Sequence, residues 1–394
     1  MQKKIMNSFF KSIKNHAFSV VFWDGEVKNY GEGNPTLKVI FRKPLPVSFD
    51  FTDPMLAFGE AFMNDFIDFE GSFDEIMAVV EENKKLFSMK GHKLLKSTLK
   101  KISRVNIKEK QKENIQHHYD LGNDFFSLWL DETLSYSCAY FKNPTDSLYE
   151  AQMNKIDLVL KKLQLKPGEK LLDIGCGWGW LIISAAQNYG VKATGINISK
   201  EQYLSSTERI RNLGLSGQVD VKLLDYLDLD TEGQQFDKIV SVGMFEHVGR
   251  DNLHKYLERI QKVLVPGGLS LLHSIMGVRE DGVNSWTNKY IFPGGYIPSF
   301  RETISLLPEY DFHLLHAESL RMHYALTLDH WCRNYEKHWD TVEGIFGRKF
   351  ARMWQLYLKA SASSFRAAGL DIYQLVFSKG LSNNLYLTLD RIYS

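Results

Sequence analysis

The stretch LLDIGCGWGWL, residues 171–181, decides the fold class of this chain. An apolar run ends at Asp173, and Gly175, Gly177 and Gly179 follow before a helical segment begins. Glycines in such a loop allow a tight turn and let the backbone approach a ligand closely. The stretch therefore predicts a strand, a ligand-binding loop and a helix, in that order. A purely structural turn in an open α/β sheet is the alternative interpretation.

Apolar runs alternate with amphipathic helical segments around this loop. Such alternation is typical of βαβ units, which bury a parallel sheet between helices on both faces. We therefore predict an α/β fold with a parallel-rich sheet. The predicted strands are residues 170–175, 191–199, 219–225, 236–245 and 268–275.

The N-terminal part of the chain has a different pattern. With 394 residues, of which 44% are hydrophobic and 24% charged, the chain is a folded protein large enough for two domains. Residues 17–48 are β-rich, with a hairpin turn predicted at Asp24-Gly25. Residues 53–87 are predicted to be helical, beginning with a cap at Asp53 and a proline after it.

A strongly basic segment follows. Residues 84–112 contain eleven Lys and Arg residues and one Glu, whereas the whole chain has a net charge of +1. Apolar residues among these charges favour contact with an anionic membrane surface, with a solvated linker as the alternative. No recognition motif accompanies the charge, so we expect no nucleic-acid partner. The predicted division is a small α+β domain at 1–95, a basic linker or membrane-contact segment at 96–114, and the main α/β domain at 115–394.

Cysteine usage and hydropathy indicate the cellular compartment in which the protein works. The three cysteines, Cys138, Cys176 and Cys332, lie far apart and are odd in number, which predicts a reducing cytosol. No His or Cys cluster has metal-ligand spacing, so we expect no metal site. The lysine-rich N-terminus lacks the apolar core of a signal peptide, and no window approaches the roughly 18 apolar residues of a membrane span. We therefore expect a cytoplasmic protein that does not cross a bilayer but can lie on one.

The glycine loop and two later motifs together resemble the Rossmann-like class I S-adenosylmethionine-dependent methyltransferases. The third glycine comes one position too early for the dinucleotide pattern GxGxxG, and FDKIVS (236–241) and VLVPGG (263–268) complete the methyltransferase pattern. Asn197 stands where many such enzymes have an acidic residue, and Gln202 can supply a second contact to the ribose. The expected S-adenosylmethionine contacts are Tyr136, Ser137, Asp173, Gly175, Gly177, Asn197, Ile198, Gln202, Asp225 and Tyr226.

Six motifs resemble a narrower family, the cyclopropane fatty acid synthases of the bacterial phospholipid-acting type. They are HHYDLGNDFF, LSYSCAYF, LDIGCGWG, GMFEHVG, LLHSI and HYALTLDHW, in that order. The resemblance implies transfer of a methylene group to the cis double bond of an unsaturated phospholipid acyl chain, through a carbocation that loses a proton to close the ring. It also implies a homodimer at the inner face of the cell membrane, with a catalytic domain that holds an acyl-chain pocket.

The resemblance further implies that a bound bicarbonate is the base, held by Cys138, Glu246, His273, the backbone of Ile275, and Tyr324. The residue types suit this ion, because Glu246 can accept from its O–H and the other groups can donate to its oxygens. We expect Glu246 to be ionised, because positive charge near it favours that form. A helix-capping carboxylate is its plainer interpretation.

Other residues and other functions remain open. Aromatic faces stabilise cations, and the candidate wall residues are Tyr140, Phe141, Trp178, Phe245 and Tyr290. Tyr119 is a candidate to close over the cofactor and Asp120 to cap a helix, whereas His117 and His118 have no assigned role. The rival functions are a lipid methyltransferase without ring closure, such as an amine N-methyltransferase acting on a head group, and a non-catalytic lipid-binding protein.

Overall fold

The structure is a computed structural model, and it describes residues 2–46, 49–87, 122–280, 282–383 and 385–393. The helices are α1 (Gln2–Lys11), α2 (Pro54–Met63), α3 (Phe73–Glu82), α4 (Lys84–Phe87), α5 (Asn123–Ser127), α6 (Leu148–Lys162), α7 (Trp180–Tyr189), α8 (Lys200–Asn212), α9 (Leu253–Val263), α10 (Ser285–Tyr290), α11 (Phe300–Leu306), α12 (Arg321–Lys337), α13 (Trp339–Phe346), α14 (Arg348–Ala367) and α15 (Asp390–Tyr393). The strands are β1 (Phe18–Val21), β2 (Val27–Tyr30), β3 (Leu37–Phe41), β4 (Ile67–Glu70), β5 (Lys170–Ile174), β6 (Lys192–Asn197), β7 (Val219–Leu223), β8 (Phe236–Val242), β9 (Leu264–Gly277), β10 (Phe312–Ser319) and β11 (Leu370–Lys379).

The chain folds into two units, and the first is discontinuous in sequence. It combines the described residues up to 87 with Val283–Pro293 and Leu328–Gly369. Arg352 of α14 is one reason that these segments pack together. Its buried guanidinium donates to the carbonyl oxygens of Phe62 and Ile67 at 2.6 and 2.9 Å. The domain boundaries inferred from sequence remain a prediction, and the structure adds that two later segments pack with the N-terminal elements.

A four-stranded sheet of order β2-β1-β3-β4 forms the centre of the first unit. The predicted turn at Asp24-Gly25 joins β1 and β2, with Gly25 at φ +85° and the Phe22 N–H donating to the Glu26 carbonyl at 2.8 Å. The predicted cap is also present, because the Asp53 side chain accepts from the Leu56 N–H at the start of α2.

The prediction of one long helical region over residues 53–87 was wrong in one part. After α2, Asp65 adopts a positive φ of 57° and redirects the chain, and β4 then pairs antiparallel with β3. The alternating segment IDFE presents Ile67 to the core, as a strand with one buried face does. α3 begins only after this strand, capped by Ser72.

The second unit contains a seven-stranded sheet of order β10-β11-β9-β8-β5-β6-β7. The five strands from β5 to β9 run parallel, whereas β11 is antiparallel to both of its neighbours. These five correspond to the five predicted strands, so the α/β prediction is confirmed. β10 and β11 were not predicted.

Separate apolar clusters cover the two faces of this sheet. Leu171 belongs to the cluster that includes side chains of α6 and α7, whereas its neighbour Leu172 belongs to the cluster that includes side chains of α9. Successive residues of a strand point to opposite faces, so helices cover both sides. Within the part of the chain that the structure describes, no helix is long and apolar enough to cross a membrane.

Strand order also decides where a ligand can bind. The chain starts at β5 and moves outward through β6 to β7, and it then returns to β8 on the other side of β5. The order therefore reverses between β5 and β8. In open α/β sheets a crevice opens at such a switch point, beyond the carboxyl ends of the strands.

Candidate active site

The glycine loop lies at this switch point, directly after β5. Gly175, Gly177 and Gly179 all have positive φ values, of 85°, 53° and 83°. A Cβ added at Gly177 would meet nothing within 4 Å, so the loop backbone faces open space there. A Cβ at Gly175 would lie 3.1 Å from the Met244 side chain, which follows β8. Only glycine combines this backbone conformation with such close approach.

A cavity of about 180 Å³ opens in front of the loop. All ten residues predicted to contact the cofactor line it, although they come from segments spread over the chain. They are Tyr136, Ser137, Asp173, Gly175, Gly177, Asn197, Ile198, Gln202, Asp225 and Tyr226. The structure therefore brings this predicted set together.

Asp173 is the most unusual polar group of the cavity. It is the penultimate residue of β5 and only 3% exposed, and its Oδ1 has no hydrogen-bond partner in the described part of the chain. Burial raises the pKa of this carboxyl to about 7, while the nearby Lys155 ammonium works against that rise. An unpartnered buried carboxylate is costly unless a ligand stabilises it, and a cationic ligand does so best.

Polar side chains at the ends of β6 and β7 already form hydrogen bonds within the chain. The Asn197 amide donates to the Gly177 carbonyl at 3.2 Å and to the Gln202 side chain at 2.8 Å. Asn197 therefore braces the glycine loop as well as facing the cavity. Asp225 accepts from the Leu227 N–H at 2.9 Å and caps a short 3₁₀ turn, while the neighbouring Tyr226 hydroxyl has no partner.

Lys155 on α6 was missed from sequence. It lines the cavity, is 4% exposed, and donates to the Ser137 hydroxyl at 3.1 Å. Burial lowers its pKa to about 8, opposed by Asp131, Cys138 and Asp173. The sequence does contain a pattern that could have identified it. Gln152 and Lys155 stand three positions apart among the apolar residues of the buried face of α6.

Glu246 and His273 stand on neighbouring segments near the carboxyl end of β8. Glu246 lies in a short 3₁₀ turn after the strand, and its Oε1 accepts from the Ile275 N–H at 2.6 Å. Val242 of β8 pairs with His273 of β9, and the Gly243 N–H donates to the His273 carbonyl at 2.9 Å. The Ile275 N–H, expected to face an anion, therefore holds Glu246 instead.

Each of these two side chains keeps one buried polar atom that no described residue pairs with. These atoms are Oε2 of Glu246 and Nε2 of His273. Burial raises the pKa of Glu246 to about 7. The expected ionised form depends on the positive charge of the sulfonium, and it stays a prediction. Burial also lowers the pKa of His273 well below its usual range, so its imidazole is neutral.

Cys138 and Tyr324 form a second pair of predicted site residues. The Leu320 carbonyl accepts from the Tyr324 N–H at 3.0 Å and lies 3.9 Å from the Cys138 sulfur. Cys138 is fully buried, and burial raises the pKa of its thiol, so it is not an activated nucleophile. The charge of the Lys155 ammonium lowers the pKa values of both Cys138 and His273.

The remaining predicted residues have different positions. Phe245 is fully buried against Tyr256, and Tyr290 belongs to the first unit, where its hydroxyl donates to Glu60 at 2.7 Å. His247 is buried and lines the cavity, with its pKa lowered to about 4 by burial. Residues 117–120 and most of the basic segment lie outside the described residues.

Solved structures share the fold of about two thirds of this chain. The cyclopropane synthase MmaA2 from Mycobacterium tuberculosis matches with a TM-score of 0.64 at 35% identity, covering 68% of this chain and 98% of that one. The mycolic acid cyclopropane synthase CmaA1 complexed with SAH and CTAB matches with a TM-score of 0.64 at 34% identity, with the same coverage. The fold, the glycine loop and the cavity thus define a class I S-adenosylmethionine-dependent methyltransferase.

Sequence comparison narrows the class. The family model described as mycolic acid cyclopropane synthetase matches residues 106–375, and a domain of unknown function (DUF7884) matches residues 5–93. The cyclopropane-fatty-acyl-phospholipid synthase of Escherichia coli K12 is 42% identical over 71% of this chain and 72% of its own length. A probable fatty acid methyltransferase of Pseudomonas putida is 36% identical over 91% and 90%. The chain belongs to the mycolic acid cyclopropane synthetase family, which confirms the resemblance seen in its motifs.

Proposed function

We propose that the protein transfers a methylene group from S-adenosylmethionine to the cis double bond of an unsaturated phospholipid acyl chain, and that a bound bicarbonate is the base. One observation carries the proposal. Among the residues that the structure describes, Glu246 Oε2 and His273 Nε2 are buried polar atoms without hydrogen-bond partners, and they stand on neighbouring segments after β8 and in β9. Such atoms are costly to bury unless a polar ligand satisfies them.

The cavity residues suit S-adenosylmethionine. Gly177 leaves open space for a ligand beside the backbone, and Asp173 offers an unpartnered carboxylate to a positively charged molecule. Asn197 and Asp225 stand at the ends of β6 and β7, where they can accept hydroxyl or amino protons. When bound, S-adenosylmethionine supplies an electrophilic methyl group on a sulfonium.

Glu246 and His273 suit bicarbonate for complementary reasons. Bicarbonate carries one O–H donor and several acceptor oxygens, and when bound it supplies a base near the acyl chain. Glu246 Oε2 can accept from an O–H, and His273 Nε2 can donate to an oxygen. The Ile275 N–H fixes the orientation of Glu246, and Cys138 remains a neutral thiol that donates only weakly.

Three further features are part of the proposal. The protein is proposed to work as a homodimer, at the cytoplasmic face of the cell membrane, on an anionic lipid surface. Support for the lipid surface comes from residues 84–112, with their eleven Lys and Arg residues. The dimer rests on the family resemblance, and sedimentation velocity of the full chain tests it. A monomer at working concentrations would contradict it.

Isotope labelling tests the reaction. The protein is mixed with vesicles of a cis-unsaturated phospholipid, bicarbonate, and S-adenosylmethionine with a fully deuterated methyl group, and the lipids are analysed by mass spectrometry. Ring closure removes one hydrogen from the transferred methyl group, so the acyl chain should retain two deuterium atoms.

The other outcomes distinguish the rivals. Three deuterium atoms in the acyl chain or the head group mean methyl transfer without ring closure, which ends the assignment of bicarbonate as the base. An unlabelled lipid points to another acceptor or to a lipid-binding protein. Glu246→Gln removes the carboxylate proposed to accept from bicarbonate, and it should label the lipid far less than the wild type does. The control variant Glu208→Gln carries the same substitution at an exposed position on α8, and it should label the lipid as the wild type does.

A further inference from the structure

A row of polar residues crosses three adjacent strands behind His273. In the register of the sheet, Glu318 of β10 stands opposite Gln374 of β11, and Gln374 stands opposite His273 of β9. Lys162, at the end of α6, reaches this row and forms an ion pair with Glu318. Gln374 and His273 are both fully buried, so the polar atoms that face each other between them cannot be satisfied by bulk water.

The contacts within the row have a single consistent donor and acceptor pattern. Lys162 Nζ lies 2.7 Å from Oε1 of Gln374, and the other end of that amide, Nε2, lies 3.3 Å from Nδ1 of His273. An ammonium group only donates, so the amide oxygen must face Lys162. The amide NH₂ then faces His273, and NH₂ also only donates. His273 Nδ1 must therefore be the acceptor.

The tautomer of His273 follows from this pattern. A neutral imidazole carries one ring proton, so with Nδ1 as an acceptor the proton is on Nε2. Nε2 is the atom of this ring that has no partner among the residues that the structure describes. His273 thus presents an N–H donor to whatever lies beyond it, and it has no lone pair there with which to accept.

We propose that Gln374 and Lys162 are positioning residues, which hold His273 in the neutral Nε2–H tautomer so that it can only donate to an oxyanion. The inference rests on the proposed function in one respect, because the oxyanion is the bicarbonate assigned above. Together with the accepting Oε2 of Glu246, this donor selects a ligand that has both an O–H and a bare oxygen. Bicarbonate has both, whereas carbonate and chloride lack the O–H.

Glutamate at position 374 inverts the pattern with almost no change of shape. In Gln374→Glu, one carboxylate oxygen accepts from Lys162, and the other can only accept from His273. The ring proton must then move to Nδ1, or the ring must take up a second proton. We expect kcat to fall roughly 100-fold, with the dissociation constant for S-adenosylmethionine unchanged. Gln218→Glu is the matched control, because Gln218 also donates to buried backbone carbonyls, those of Ala186 and Val191.

Long-range ¹H–¹⁵N NMR of histidine-labelled full-length protein reads the tautomer directly. The signals of His273 are assigned by their loss in His273→Asn. We expect a protonated Nε2 and a bare Nδ1 in the wild type and in Gln218→Glu, and a protonated Nδ1 in Gln374→Glu. A wild-type His273 that carries its proton on Nδ1 overturns the proposal, even if the Gln374 variant does not fold.

The measurement also separates this inference from the proposed function. It needs neither substrate nor turnover, so the expected tautomer in a protein that makes no cyclopropane would defeat the function and leave the inference standing. The opposite tautomer in a protein that does make cyclopropane would leave the function standing. A tautomer switch in Gln374→Glu without any fall in kcat would show that the tautomer is not needed and would defeat the positioning role.

Discussion

The two oxygens of Glu246 lie in different surroundings. Oε1 accepts from the Ile275 N–H, whereas Oε2 has no hydrogen-bond partner among the described residues. Burial raises the pKa of this carboxyl from 4.5 to about 7, so the chain by itself favours the protonated form below about pH 7, and the accepting role proposed for Oε2 belongs to the ionised form. A carboxyl with a raised folded-state pKa contributes stability that is complete below its unfolded pKa. That contribution is lost as the pH rises through the folded pKa.

The variant Glu246→Gln removes this titration. We expect the free energy of unfolding of the variant, relative to the wild type, to increase between about pH 4.5 and 7. The expected change is on the order of 3 kcal/mol, from the size of the pKa shift. Urea unfolding at several pH values measures it. Glu208→Gln, at an exposed position, should give a difference that does not vary with pH. The same flat result for Glu246→Gln would mean that the Glu246 carboxyl is not stabilised in its protonated form.

Site residues that follow the ends of strands could be predicted from the sequence. The residues that hold the site residues in position could not. Gly175 and Asp225 follow β5 and β7, and the alternation of apolar runs was enough to locate those ends. Gln374 became visible only through its pairing with His273, 101 residues away in sequence. Such long-range contacts have no local pattern. Lys155 is an intermediate case, because a lysine on the apolar face of a helix can be recognised in sequence but its partner cannot.

At the scale of elements, β6 and the glycine loop are packed against each other without free space. A Cβ added at Gly195 of β6 would lie 2.6 Å from the Cys176 sulfur and 2.9 Å from Cδ1 of Ile182. Cys176 is inside the glycine loop, and Ile182 lies on α7, which begins after it. A side chain at Gly195 must therefore displace the side chains of Cys176 and Ile182, which belong to the loop and the helix.

Gly195→Ala should lower the free energy of unfolding by about 1–3 kcal/mol, the usual cost of overpacking a core. It should also weaken S-adenosylmethionine binding, because the loop that lines the cavity moves. Urea unfolding and isothermal titration calorimetry measure the two effects. Gly217→Ala is the control, since a Cβ there meets nothing within 4 Å. Equal stability and affinity for the two variants would refute the coupling between β6 and the loop.

Three strands were not predicted from the sequence, and in each of them the local pattern was not sufficient. β4 was included in a helical region because IDFE is short and lies between two helices. β10 has only one fully buried residue, Phe312, so its pattern lacks the apolar run of a central strand. β11 is antiparallel and follows a long helix, outside the βαβ alternation that identified the other strands. Edge and antiparallel strands depend on tertiary pairing more than on local pattern.

At the scale of the whole molecule, the first unit depends on contacts between residues that are far apart in the sequence. Arg352 donates to the carbonyl oxygens of Phe62 and Ile67 and forms an ion pair with Asp68 at 2.7 Å. Removing one partner of such a buried set is strongly destabilising. A chain that lacks residues 1–112 would leave this arginine without its partners. Its loss of activity would therefore report unfolding as well as any lost membrane contact.

Charge removal in the basic segment is the cleaner test of membrane binding. Each Lys or Arg near an anionic bilayer contributes about 1 kcal/mol, so replacing four lysines by glutamine should weaken vesicle binding at least tenfold. The substitutions are Lys93→Gln, Lys96→Gln, Lys100→Gln and Lys101→Gln. Co-sedimentation with vesicles containing phosphatidylglycerol measures binding, and the salt dependence should become shallower because fewer charges contact the surface.

A control variant with the same net charge separates a local effect from a global one. It carries four glutamines at exposed lysines outside the segment, namely Lys192→Gln, Lys200→Gln, Lys255→Gln and Lys349→Gln. We expect this control to bind anionic vesicles nearly as well as the wild type, because a surface potential acts only within about a Debye length of 10 Å. Equal weakening of both variants would show that net charge alone drives binding. Unchanged binding of the segment variant would show that residues 84–112 are a linker.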